Sequence, residues 1–247
     1  MSVTRAVIVG CGHYLPERVV ENAEFEATLD TSDEWIKSRS GIERRHFAAE
    51  DEKTSDLAIK AARKALTDAG LEGADIDAIV LATATPDQTF PSTATRVQAA
   101  LGTEGYAFDV QAVCAGFLYA IANANALIVS GQARRVMVIG AETFSRIMDW
   151  TDRATCVLFG DGAGAVILEA SDQESAGRGI LSTVLRSDGR YNDLLYVDGG
   201  VSTTQTAGVL KMEGREVFKR AVRAVTGSVQ NALAQAGVSA DEIDVVL

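Results

Sequence analysis

The sequence predicts an α/β fold with a largely parallel sheet covered by helices, and three observations carry that prediction. Apolar runs at residues 6–9, 78–82, 107–110 and 136–140 read as buried strands. Stretches with helical periodicity at 54–69, 92–101, 115–130 and 213–236 alternate with them. Finally, Ala69-Gly70-Leu71-Glu72-Gly73-Ala74-Asp75-Ile76-Asp77-Ala78-Ile79-Val80 recurs without gaps as Ala236-Gly237-Val238-Ser239-Ala240-Asp241-Glu242-Ile243-Asp244-Val245-Val246-Leu247. Each copy reads as a helix, a glycine stop, an acidic loop and a strand, which points to an internal duplication.

Taken in order, Val7-Ile8-Val9 supplies the first strand, and Cys11 ends it. Thr54 or Ser55 caps the helix over 54–69, and Gly70 closes it. The run at 78–82 is apolar throughout, as a strand buried on both faces requires. The strand at 107–110 feeds the helix over 115–130, which Gly131 closes. The region 161–198 is rich in Gly, Asp and Ser and reads as shorter antiparallel strands joined by turns such as Ser187-Asp188-Gly189. The last helix, 213–236, leads into the second copy of the repeat. In that copy the expected strand starts at Ile243 and stops at Leu247 in mid-strand, so the chain reads as an amino-terminal fragment of a longer protein.

The 247 residues are 47% hydrophobic, enough for a sizeable core, and their net charge of −11 argues against nucleic-acid binding. No apolar run is long enough to span a membrane. Cys11, Cys114 and Cys156 fit no disulfide or metal pattern, so they read as free thiols in a reducing cytoplasm, with no metal site expected.

Cys114 holds the most information. It stands where the strand Ala107-Phe108-Asp109-Val110 gives way to a small-residue helix, and unpaired N–H groups at a helix start favour a thiolate. Ala115 and Gly116 leave room for a substrate. A buried structural cysteine is the competing reading, because free cysteine is often buried. Gly160-Asp161-Gly162-Ala163-Gly164 lacks the Lys-Ser/Thr of a phosphate loop and precedes a strand, so its glycines read as close backbone passage. Lys211, Arg215, Lys219 and Arg223 recur every four residues, with Arg220 beside them. That stripe reads equally as a docking face for an acidic partner or as a solvated face paired with Glu213 and Glu216.

An ordered set of motifs now stands out: Leu15-Pro16, Asp30-Thr31-Ser32-Asp33-Glu34-Trp35-Ile36, Ser40-Gly41-Ile42, Cys114-Ala115-Gly116-Phe117, Thr151-Asp152-Arg153, Phe159-Gly160-Asp161-Gly162-Ala163-Gly164-Ala165, and Glu213-Gly214-Arg215-Glu216-Val217-Phe218-Lys219. In this order it closely resembles β-ketoacyl-acyl carrier protein synthase III, over essentially the whole chain. The resemblance implies the thiolase-like fold, a layered αβαβα sandwich with internal duplication, its second half truncated here. It divides the chain into residues 1–171, carrying the nucleophile, and 172–247, an incomplete carboxyl-terminal half. It implies decarboxylative Claisen condensation of an acyl-CoA primer, acetyl-CoA being expected, with malonyl-acyl carrier protein, initiating fatty-acid synthesis.

By the same resemblance Cys114 is the nucleophile, with its own N–H as an oxyanion donor. Thr31, Trp35, Arg39 and Arg153 hold CoA. Phe90 and Phe159 bound the acyl pocket. Lys219, Arg215 and Arg223 dock the carrier protein. The family's His and Asn are expected beyond Leu247, since His13 and His46 match neither position, and the chain alone is expected to condense little. A cytoplasmic homodimer is implied; CoA thioester and carrier protein are substrates, and no cofactor is implied. The alternatives are another thiolase-fold condensing enzyme of long-chain or secondary metabolism, or a non-catalytic dimerising relative.

Overall fold

The computed structural model describes residues 5–171 and 178–246. The chain separates into two compact units, 1–179 and 180–247, each described by itself below. The division expected at 171/172 borders residues 172–177, which lie outside the described residues.

In the first unit the elements are β1 (Arg5–Tyr14), β2 (Arg18–Glu21), α1 (Asn22–Glu26), α2 (Asp33–Ser40), β3 (Arg44–Phe47), α3 (Thr54–Ala69), β4 (Ala78–Ala82), α4 (Thr93–Leu101), β5 (Tyr106–Val110), α5 (Gly116–Val129), β6 (Arg135–Thr143) and β7 (Asp161–Ser171). Five of the strands form one sheet in the order β1-β7-β6-β4-β5. Strand β4 runs parallel to β5 and β6, whereas β7 runs antiparallel to both β6 and β1. The sheet is therefore mixed: parallel through β5-β4-β6, as expected, and antiparallel at β7, which lies in the 161–198 region read as antiparallel. The cause lies in the link from β6 to β7: it contains a short 3₁₀ turn (Phe144–Ile147) and no crossover α-helix, so the chain returns antiparallel. Two strand estimates also change. β1 continues past Cys11 to Tyr14, and β7 is a long strand of 11 residues that begins at Asp161.

Side chains alternate across the sheet, and this assigns its two faces. Ile79 and Leu81 of β4, Met137 and Ile139 of β6, and Ile167 of β7 join Leu57, Ala61 and Ala65 of α3 in one buried cluster. The remaining face receives α5: a Cβ at Gly116 lies 3.2 Å from Ala82, and one at Gly140 lies 3.3 Å from Phe117. Helices on both faces explain why β4 is buried along its whole length. Helix α3 approaches closely because it offers alanines, and β1 offers Gly12, where a Cβ would stand 2.4 Å from the Ala61 carbonyl. Neither Thr54 nor Ser55 caps α3. Lys53 holds the cap position, and Thr54, one residue inside, donates its hydroxyl to the Thr85 carbonyl at 2.6 Å.

The second unit contains β8 (Leu195–Val197), β9 (Leu210–Met212) and α6 (Gly214–Ala236), with β8 and β9 antiparallel. Asp188 caps a 3₁₀ turn over 189–194, so Ser187-Asp188-Gly189 does not join two strands. The sequence repeat is reproduced in local conformation. Gly70 ends α3 at φ 66° and Gly237 ends α6 at φ 67°, the left-handed stop that glycine takes without strain. Three residues then form a 3₁₀ turn, closed by the Glu72 N–H on Asp75 and by the Ser239 N–H on Glu242, each at 2.9 Å. The copies part after that. The first runs into β4, while residues 243–246 join no strand and Leu247 lies outside the described residues.

Candidate active site

Strand β5 delivers the chain to Cys114. The thiol sits in a 3₁₀ turn, Val113–Ala115, and α5 begins two residues later at Gly116, so Cys114 precedes the helix instead of starting it. Its side chain is exposed, unlike that of Cys156. Val113 takes φ 47°, a left-handed conformation that a β-branched residue rarely adopts and that costs about 1–3 kcal/mol. The turn's bonds run from the Ala115 N–H to the Ala112 carbonyl at 3.1 Å and from the Gly116 N–H to the Val113 carbonyl; neither uses the N–H of Cys114.

Cys114 and Phe117 line a cavity of about 440 Å³ with Leu15, Ala82, Glu142 and the glycines of two adjacent strands. Gly140 of β6 lies directly across from Gly164 of β7, and Glu142 across from Gly162. Nothing lies within 4 Å of a Cβ built on Gly164. A larger residue there would fill the cavity without disturbing its neighbours. Gly164→Leu is therefore expected to keep its melting temperature within a few degrees and to slow acylation of Cys114 about tenfold or more. A variant that acylates at the parental rate would show that the substrate does not use this floor.

Glu142 closes the inner side of the cavity. Its carboxylate accepts from the Ala84 N–H (2.8 Å) and the Thr85 hydroxyl (2.6 Å), and Thr85 in turn accepts from the Thr143 N–H (2.8 Å). Burial raises its pKa above the ordinary 4.5, opposed by those hydrogen bonds. The native state thus holds a proton that the unfolded chain releases near 4.5, and its stability falls as pH rises through the folded pKa. Glu142→Gln removes the ionisation and keeps an acceptor for Ala84. Relative to the parent, it should gain melting temperature progressively as the pH is raised from 4.5 through the higher folded pKa. A constant difference across that range would contradict the reading. Neither Glu142 nor Val113 is expected from the sequence, although a carboxylate at the end of an apolar strand is a usable signal for the first; the residue type gives none for the second.

A second cluster gathers around Trp35. Ser32 caps α2 by accepting from the Trp35 N–H at 3.1 Å, and Gly41 ends the helix at φ 73°. One turn on, the Arg39 guanidinium lies 4.8 Å from the indole centroid. Arg153, distant in sequence, lies 5.2 Å from the same ring. It also donates to the Asp30 carbonyl, and to the Asp30 carboxylate at 3.1 Å. The hydroxyl of Thr31 is buried without a hydrogen-bond partner, which is uncommon for a buried polar group. The structure thus brings together all four residues expected at the nucleotide end.

Other expected residues are placed elsewhere. Phe90 is 81% exposed, between β4 and α4. Phe159 stacks on Phe144 with centroids 5.2 Å apart. Neither is among the residues lining the Cys114 cavity, where Phe117 takes that place. His13 lies on β1, and His46 bonds the Pro16 carbonyl through Nδ1 at 2.6 Å, so neither histidine reaches the cavity. Arg215, Lys219 and Arg223 are exposed on α6, but Lys211 belongs to β9, so the helical stripe is shorter than the spacing predicted.

Residues 108–189 match the family described as 3-oxoacyl-[acyl-carrier-protein] synthase III. The β-ketoacyl-[acyl-carrier-protein] synthase III of Ruegeria pomeroyi is 70% identical over 243 residues, covering 97% of this chain and 75% of its own length. The crystal structure of 3-oxoacyl-[acyl-carrier-protein] synthase III from Aquifex aeolicus superposes with a TM-score of 0.89 at 44% identity, covering 96% of this chain and 74% of the other. A priming β-ketosynthase of a polyketide pathway superposes at 0.86 with 33% identity, covering 97% and 72%.

Proposed function

The chain belongs to the β-ketoacyl-acyl carrier protein synthase III family, and from that membership we infer how its residues divide the reaction. It is a condensing acyltransferase with the thiolase fold, joining an acyl-CoA to malonyl-acyl carrier protein at the start of fatty-acid synthesis. The CoA thioester and the carrier protein enter as substrates.

Cys114 is the nucleophile. Its thiolate attacks the thioester carbonyl of acetyl-CoA, the expected primer; the tetrahedral oxyanion collapses, and CoA leaves as its thiolate. The acyl group stays on sulfur, and the Cys114 N–H, outside the turn's own bonding, donates to the oxyanion. The carbanion formed when malonyl-acyl carrier protein loses carbon dioxide then attacks the acyl-Cys114 carbonyl and releases the thiolate. The observation that carries this reading is an exposed thiol at the edge of a cavity, held in a turn that Val113 enters in a strained conformation.

Adenine stacks on Trp35, and Arg39 and Arg153 pair with the phosphates. The orphan hydroxyl of Thr31 supports a ligand there. Arg215, Lys219 and Arg223 dock the acidic carrier protein. A homodimer is supported by the exposed Phe90, which reaches a partner's acyl pocket, and by β5, an unpaired sheet edge. A cytoplasmic location fits the three free thiols.

The test is incubation with acetyl-CoA in the absence of malonyl-acyl carrier protein, followed by peptide mass spectrometry. One acetyl group on the Cys114 peptide is expected. Acetylation confined to another residue, or none, overturns the assignment.

A further inference from the structure

Arg45 is buried, 6% exposed, and the acyl-transfer chemistry makes no use of it. It donates to the Val20 carbonyl at 3.3 Å, the Asn22 amide oxygen at 2.9 Å and the Val157 carbonyl at 2.8 Å. These acceptors are all neutral. The Phe25 ring lies 4.7 Å from the guanidinium carbon, and Nε has no partner. Burying a guanidinium on such terms is costly, and burial pulls its pKa below the ordinary value. A side chain kept there does something that an apolar residue would not.

Its partners indicate what. Asn22, 1% exposed, donates both to the Asp33 carboxylate at 2.9 Å and to the Ile42 carbonyl at 2.8 Å. Asp33 is the first residue of α2, and Ile42 follows its glycine stop, so Asn22 ties down both ends of the helix that carries Trp35 and Arg39. Val157 lies on the segment that carries Arg153. Phe25 meets that segment too, stacking on Trp150 with centroids 6.4 Å apart. A continuous chain of bonds therefore runs from α2 through Asn22 and Arg45 to Val157. The three bonds are divided between Nη1 and Nη2, two nitrogens held apart in one plane, which a single ammonium nitrogen does not provide.

We propose that Arg45 is a positioning residue that sets the spacing between the Trp35 face and the Arg153 arm, and so the fit of the nucleotide end of the CoA thioester. The inference rests on the reading of Trp35 and Arg153 as that nucleotide site. The cavity around Cys114 lies outside the chain of bonds, so the effect is selective for substrates that carry the nucleotide.

The test compares acetylation of Cys114 by acetyl-CoA and by acetyl-pantetheine, which lacks the nucleotide, across a range of thioester concentrations. For Arg45→Lys, half-saturation by acetyl-CoA should rise about tenfold while the limiting rate stays within about twofold. The constants for acetyl-pantetheine should not change. Equal losses with both thioesters mean a merely structural role and overturn the proposal, as does no change with either. Trp35→Ala is the control for the underlying reading. If it fails to separate the two thioesters, the nucleotide site is misplaced; if it separates them and Arg45→Lys does not, only the proposal for Arg45 falls. Should Arg45→Lys fail to fold, Asn22→Ala breaks the same chain while leaving the Arg45 guanidinium in place and carries the same selective expectation.

Discussion

Cys114→Ser is expected to lower acyl transfer from CoA by about 10³-fold or more, the loss usual when a covalent nucleophile is removed. Serine keeps the size and the turn, so folding and cavity persist, and thermal stability should stay close to that of the parent. What disappears is the sulfur nucleophile: an alcohol attacks a thioester far less readily than a thiol does. The readout is the rate at which labelled acetyl groups accumulate on the protein. A variant that still forms acyl-enzyme at the parental rate places the nucleophile elsewhere. Alkylation provides an independent check. Cys114 is exposed, while Cys156 is fully buried and its thiol is pushed up by burial. A thiol reagent should modify Cys114 and leave Cys156 intact until the protein unfolds.

The second large effect is expected at Trp35. Trp35→Ala removes the flat apolar face proposed for adenine and leaves Arg39 and Arg153 without the ring that lies 4.8 and 5.2 Å from them. Base stacking on an aromatic side chain contributes about 1–3 kcal/mol, so half-saturation by acetyl-CoA should rise about tenfold to a hundredfold. The limiting acylation rate should change little, because the ring does not touch the reacting carbon. A lower rate at saturation with unchanged affinity would refute the binding role and make Trp35 part of the chemistry.

Much of the scaffold was legible beforehand. The helix over 54–69 and the strand over 78–82 match α3 and β4 residue for residue, since both are long or wholly buried and carry an unambiguous apolar pattern. The 72–75 and 239–242 turns could be paired from sequence because a glycine stop and an acidic cap constrain the backbone locally. Small elements escaped. β2, α1, α2 and β3 are too short to display a period, and they are held by long-range bonds such as those of Arg45. The length and partners of β7 escaped as well: its region read as short antiparallel strands, and only pairing with β1 and β6 shows one strand of 11 residues.

Within the site, Cys114, Trp35 and Arg153 could be named from motifs, yet a motif carries no statement of distance. Local chemistry along the chain determined where helices stop, which strands are buried and which residue types are fit for thioester exchange. Only the tertiary structure decided that Gly140 and Gly164 face each other as a cavity floor, that Glu142 closes it, that Phe117 and not Phe159 lines it, and that Arg153 meets Trp35. Those facts depend on strand register and on side chains far apart in sequence. Both are set by packing of the whole core, which no local window contains.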